Sequence, residues 1–232
     1  MVDAERYITY HIPVMSTERK IHAESIADQV YVFIEEDIVS RKYPPGSRID
    51  LEEIERRLGI SRIPIRDALE RLIEKGLVRK VPRVGYFTVK LSPAEISDLY
   101  SVRLLLEEYA LTQGVESIDR KLAAELRHRL EAFAGQSEFS AEEKSELLQL
   151  DFMLHRHVII NNSGSPLLES IYEGIKVRVN LSTHLMYRLE DDIVEHCAIL
   201  EAILARDERQ AIGALRRHLK ATEERALALT DD

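Results

Sequence analysis

One cysteine, Cys197, and no tryptophan stand in 232 residues. A lone thiol excludes an internal disulfide framework and suits a reducing compartment. No apolar run approaches the roughly 18 residues that span a bilayer, so no membrane partner is expected. The opening stretch MVDAERYITYHIPVMSTERK lacks a basic start followed by an apolar segment. It does not read as a secretory leader, and a cytoplasmic location is expected. No internal repeat or low-complexity tract is visible. What is present is ample core material and abundant charge: 45% hydrophobic and 31% charged residues, as in a soluble globular chain. The net charge of −9 argues against a nucleic-acid partner until its distribution is considered. Residues 41–90 hold 13 Lys/Arg against 7 Asp/Glu, a net +6 that leaves −15 on the remainder. A compact basic block beside an acidic remainder implies two units with different partners.

The few glycines and prolines punctuate the chain. Residues 1–20 show no steady period and read as an N-terminal arm. Ile21, Ile26, Val30, Phe33, Ile34 and Ile38 recur at helical spacing, giving an amphipathic helix over about 17–40. Pro44-Pro45-Gly46 stops it. A short helix over 51–58 ends at Gly59. Ser61 then caps a helix that carries Ile65, Ala68, Leu69, Leu72 and Ile73 inward and ends at Gly76. Strands over 77–81 and 86–89 flank a turn at Pro82-Arg83-Val84-Gly85. Three helices and a hairpin in this order form a winged helix-turn-helix over 21–90. Ser92-Pro93-Ala94-Glu95 is a capping box opening a new helix. From there the chain reads as helices over 93–113, 119–136, 140–162, 166–187, 189–206 and 207–229. The expected fold is mainly α: a winged helix-turn-helix followed by an antiparallel all-α bundle over 91–232.

The helix after Gly59 begins Ser61-Arg62-Ile63-Pro64-Ile65-Arg66, polar and basic at its tip with its apolar stripe on the opposite side. Such a tip suits the major groove, where arginine makes paired hydrogen bonds to guanine O6 and N7. Ser61 and the free N–H groups of the helix start suit a phosphate oxygen. Arg83 and Gly85, at the hairpin tip, can reach the neighbouring minor groove or backbone. The stretch LGISRIPIRDALERLIEKGLV resembles the core signature of the GntR family of transcription regulators, and PRVGYFTV resembles its wing. The resemblance implies that Arg62 and Arg66 contact double-stranded operator DNA, with Ser61, Pro64 and Gly85 in support. Two residues depart from the pattern. Ile63 stands where a small hydroxyl residue is common. Glu52 stands where a basic residue often touches DNA, and a carboxylate there would repel phosphate.

Asp151 and His155 are four apart and share one helix face. His196 and His218 lie on two later helices. One carboxylate and three imidazoles from three helices of a bundle suit a divalent transition metal, zinc foremost, with nickel, manganese and iron also suited. A lone buried histidine is more often a hydrogen-bonded core residue. The region after Ser92 resembles the FCD effector domain of the FadR-like branch of the GntR family. Its pattern of Asp-x3-His, then Glu-His, then a final His is matched by Asp151, His155, His196 and His218. Arg103 sits in an apolar stretch. It either pairs with Glu107 one turn on or points into the bundle to bind an anion, the role the resemblance implies. His184 is a candidate for the same effector pocket or for ordinary packing. His157, His11, His22 and His128 read as lying away from the site, and Cys197 as a small core residue pointing away from it.

These readings together give the expectation of a homodimeric regulator, a repressor, whose operator affinity is set by a small carboxylate or sugar-acid effector at the metal. Two alternatives stay open: a regulator whose signal is the metal itself, and a metal-dependent hydrolase or lyase fused to a DNA-binding head. No glutamate in an HExxH setting supplies a base, so no enzyme is expected.

Overall fold

The computed structural model describes residues 25–183 and 189–228. Helix α1 (Ile26–Val39) opens on a capping box, with Ser25 Oγ accepting from the Asp28 amide at 3.1 Å and Asp28 accepting from the Ser25 amide at 2.8 Å. The expected start near residue 17 lies outside the described residues. Val30, Ile34 and Ile38, spaced four apart, bury one stripe of α1 against α3. Helix α2 (Leu51–Leu58) is capped by Asp50 and ends at Gly59, whose φ of 65° is left-handed and favours glycine. The chain then reverses into α3 (Arg62–Glu74), which turns Ile65, Ala68, Leu69 and Leu72 inward. Strands β2 (Val78–Val81) and β3 (Gly85–Thr88) form the expected hairpin, with Val78 opposite Thr88 and Val81 opposite Gly85. A third strand, β1 (Arg48–Ile49), pairs with the outer side of β3 in the sheet order β1-β3-β2. Two residues are too short to show alternation, so the sequence carries no sign of this strand.

The remaining elements are helical. Helix α4 (Pro93–Gly114) starts at the Ser92/Glu95 capping box. It ends at Gly114, where a Cβ would lie 2.2 Å from the Asn162 carbonyl oxygen, so the close approach demands glycine. Helix α5 (Arg120–Glu131) is shorter than expected because the chain past Glu131 winds into i→i+3 turns that close at Gly135, φ 82°. The expected single helix over 140–162 is three segments: α6 (Ala141–Phe152), a π-helical stretch (Met153–Ile160) and a 3₁₀ turn (Asn161–Ser163). Helices α7 (Pro166–Thr183), α8 (Leu189–Leu204) and α9 (Glu208–Ala228) follow.

Two apolar clusters form. One joins α1, α2, α3 and the sheet around Ile34, Ile54 and Leu69; the other joins α4 to α9 around Leu111, Leu150 and Leu215. They meet at the end of α7, where Leu181 packs within the first cluster and its carbonyl accepts from Arg41 Nη2 at 3.0 Å. Among the described residues no helix is long and apolar enough to cross a membrane.

Candidate functional site

Asp151 near the end of α6, His155 in the π-helical stretch, His196 in α8 and His218 in α9 converge. Their candidate ligand atoms all lie within 4.8 Å of one another. His196 Nε2 is 3.4 Å from Asp151 Oδ1 and 3.2 Å from His218 Nε2. His155 Nε2 is buried and has no hydrogen-bond partner, Asp151 Oδ1 being 3.6 Å away. An unpartnered buried nitrogen costs about 1–3 kcal/mol, so a native site containing one calls for an explanation. One carboxylate and three imidazoles around that lone pair fit a transition-metal ion. The three histidines are buried, whereas the Asp151 side chain keeps 26% exposure, which leaves the cluster open to solvent on that side.

Two further carboxylates set the ring tautomers. Glu107 Oε2 accepts from His155 Nδ1 at 2.6 Å, and Glu195 Oε2 accepts from His218 Nδ1 at 2.8 Å. With Nδ1 donating, Nε2 of each ring carries the lone pair that faces the cluster. The charges agree with this arrangement. Burial would raise the Asp151 carboxyl, but the hydrogen bond from His196 and the positive charge of its neighbours hold it well below the usual carboxylate range. Burial, followed by repulsion from His196, pushes His218 down to about 3. Burial also lowers His155, against the opposing pull of Glu107. Glu195, despite partial burial, is held down to about 2 by its bonds to His218 and Arg225. The lowered imidazoles of His155 and His218 and the ionised Asp151 are in the protonation states that metal ligation requires.

Arg103 is 2% exposed and donates through Nε to Glu107 Oε1 at 2.6 Å. Of the two fates open to it, pairing with Glu107 is the one seen. Tyr172 on α7 is buried beside this group, and burial together with the Glu107 charge raises its hydroxyl. His184 lies outside the described residues. His157 and His128 are exposed, and Cys197 is half-buried.

In the N-terminal unit, Ser61 occupies the N-cap of α3, is exposed, and its hydroxyl makes no capping bond. Pro64 lies in the first turn, and Arg66 is exposed. Arg83 sits in the wing turn at φ 65°, with Gly85 beside it at φ 142°. Arg62, Arg66, Arg83 and Gly85 line one cleft between the start of α3 and the wing, together with Arg48 and Lys80. Arg62 is not free. Its Nε donates to Glu55 at 2.8 Å and its Nη2 to Glu52 at 3.1 Å.

The geometry has counterparts in known proteins. Residues 26–88 match the model for bacterial regulatory proteins of the gntR family, and residues 98–221 match that of the FCD domain. The chain is a GntR-family transcriptional regulator with an FCD domain. It is 24% identical over 187 residues to the uncharacterized HTH-type transcriptional regulator YdhC of Bacillus subtilis, covering 79% of this chain and 83% of that protein. It is 23% identical to the HTH-type transcriptional repressor RspR of Escherichia coli, covering 90% and 93%. The solved structure of E. coli McbR/YncC superposes with a TM-score of 0.72 at 21% identity, covering 90% of this chain and 100% of that one. This likeness extends the shared fold over both apolar clusters.

In this GntR-family chain, sequence reasoning overlooked three contributors. Glu195 adjoins His196, and only the packing of α8 on α9 reveals that it faces His218 instead. Glu107 was legible as the partner of Arg103, but its second oxygen reaches His155 across 48 residues. Arg48 counted only toward the basic block because β1 was invisible.

Proposed function

We propose that this GntR-family regulator is a homodimeric repressor that releases operator DNA when a small organic acid binds at a metal held by Asp151, His155, His196 and His218. In this reading residues 1–20 are an arm, 21–90 the DNA-binding head and 91–232 the sensing domain. The observation that carries it is the unpartnered, buried Nε2 of His155 facing one carboxylate and two further imidazoles. Bound there, a divalent ion whose shell expands beyond these four ligands to five or six would act as a Lewis acid with positions left over for carboxylate or hydroxyl oxygens. Glu107 and Glu195 hold the His155 and His218 rings in the ligating tautomer. Arg103, whose charge Glu107 offsets, would give an acid effector hydrogen-bond donors rather than net charge. The opening at Asp151 gives such a molecule its path.

At the head, Ser61 and the start of α3 meet a phosphate, Arg62 and Arg66 reach base edges, and Arg83 with Gly85 brings the wing to the neighbouring backbone. Ile63, 71% exposed beside Arg62, offers an apolar face to a thymine methyl group. A two-fold dimer sets two such tips on the halves of a pseudo-palindrome. The effector must bind the releasing arrangement more tightly, and a coupling of about 1–3 kcal/mol would shift operator affinity roughly 5–150-fold.

The test combines elemental analysis of natively purified protein with fluorescence anisotropy on an operator duplex selected from genomic fragments. Zinc-loaded and EDTA-treated protein are compared across a panel of di- and tricarboxylic and sugar acids. At least one acid should weaken operator binding for the loaded protein alone. His196→Ala should bind DNA as a folded dimer and ignore that acid. A normal response by His196→Ala, or release of DNA on metal addition without any acid, contradicts the proposal.

A further inference from the structure

Arg62 begins the recognition helix, yet its charge is already spoken for. Glu52 and Glu55 lie three apart on one face of α2, and the left-handed turn at Gly59 brings the start of α3 back against that face. Glu55 takes the Nε–H and Glu52 takes one Nη2–H of the same guanidinium. Glu52 remains 75% exposed and Glu55 27%, so the carboxylates stand at the surface that would meet DNA. Arg66, four residues on in the same cleft, has no such partner described. Two carboxylates against one guanidinium leave this trio with a net charge of −1.

A guanidinium carries five N–H donors. The two bonds to glutamate use the Nε–H and one Nη2–H, which leaves three N–H donors on Nη1 and Nη2 for the outer fork. Guanine O6 and N7 are neutral acceptors spaced for that outer fork. A phosphate oxygen is an anion and competes for the charge that the carboxylates cancel. Taking Arg62 for itself would also leave two bare carboxylates facing the DNA backbone. We propose that Glu52 and Glu55 are specificity-determining residues: a carboxylate clamp that suppresses Arg62 as a phosphate binder while holding its outer fork ready for guanine. The proposal rests on the reading of Arg62 as a base-contacting residue. It turns the departure at Glu52 from a defect of the DNA surface into a filter against wrong sequences.

The experiment uses the full-length protein, its double variant Glu52→Gln/Glu55→Gln, and the triple variant that adds Arg62→Ala. Glutamine keeps an acceptor oxygen for Arg62 and removes only the charge. Each protein is titrated with a mixed-sequence 30-base-pair duplex and with a duplex selected by the wild type from a random library, over a series of salt concentrations. The double variant should bind the mixed-sequence duplex about tenfold more tightly at low salt. The slope of log affinity against log salt should steepen by about 0.9, the value of one further phosphate contact. Preference for the selected duplex should fall by a similar factor. The gain must vanish in the triple variant, since it runs through Arg62. If the double variant matches the wild type on mixed-sequence DNA, or if the gain survives in the triple variant, the clamp is refuted. Failure of the wild type to select any sequence refutes the DNA reading itself and the clamp with it.

Discussion

Replacing Glu107 by glutamine exchanges one oxygen for an amide nitrogen in a side chain whose two oxygens have two different tasks. Oε1 accepts from Arg103 and Oε2 from His155, each at 2.6 Å in a fully buried setting. Glutamine offers one acceptor. If that oxygen stays with Arg103, the amide N–H faces His155 Nδ1, the ring proton moves to Nε2, and the lone pair that faces the cluster is lost. If it stays with His155, a donor meets the donor of Arg103 and a buried guanidinium stands unpaired. Loss of a hydrogen-bond partner behind a metal-bound histidine lowers metal affinity roughly 10–100-fold, or about 1.4–2.7 kcal/mol. Breaking a buried ion pair costs about 3–5 kcal/mol of folding stability, and at about 2–4 °C per kcal/mol this lowers Tm by roughly 6–20 °C. Zinc affinity is measured by competition with a chromophoric chelator at neutral pH, and folding by circular dichroism at a temperature where the variant remains helical. The reasoning fails if folded Glu107→Gln holds zinc within about twofold of the wild type, because the second-sphere effect would then be absent.

Three other outcomes follow from the same structure. Arg62→Ala should weaken binding to the selected operator by about 1–3 kcal/mol and relax base preference at one position, as read by competition among single-base variants. Gly114→Ala should lower Tm sharply or prevent folding, since its Cβ would lie 2.2 Å from the Asn162 carbonyl oxygen; an unchanged melting curve would show that α4 and the 3₁₀ turn separate easily. In chelator-treated protein His218 sits near 3, below its ordinary value of 6.5, so the unfolded chain binds that proton first. Stability should be fully present above pH 6.5 and fall as pH drops from there toward 3, measured as urea midpoints at stepped pH; a midpoint that rises on acidification contradicts the burial of this ring.

How far the sequence carries depends on the range of the interaction. Local signals were sound: α2 spans 51–58 and ends at Gly59, and the Ser92/Glu95 box opens α4, where the expectations placed them. Asp151 and His155, four apart, declared a shared face. His196 and His218 could be grouped with them by residue type alone, and the resemblance strengthened that grouping, because nothing in local spacing links positions on different helices. The π-helical stretch had no signature, since one extra residue per turn over eight residues barely disturbs apolar periodicity. The pairing of Arg62 with Glu52 and Glu55 had no sequence signal for a related reason. Glu52 was judged by its expected effect on phosphate, while its actual neighbour became visible only once α2 and α3 had folded against each other.

Helix α7 touches both ends of the problem. Tyr172 lies among the charges of Arg103, Glu107 and Asp151, and Leu181, nine residues on, is embedded in the apolar cluster of α1 to α3. At 1.5 Å per residue the two are about 14 Å apart along one stiff rod. A lever of that length turns a tilt of about 5° at Tyr172 into about 1 Å of travel at Leu181, enough to unseat a side chain from a close-packed pocket. A rearrangement too small to alter the helical bundle would still be felt where the DNA-facing helices are anchored.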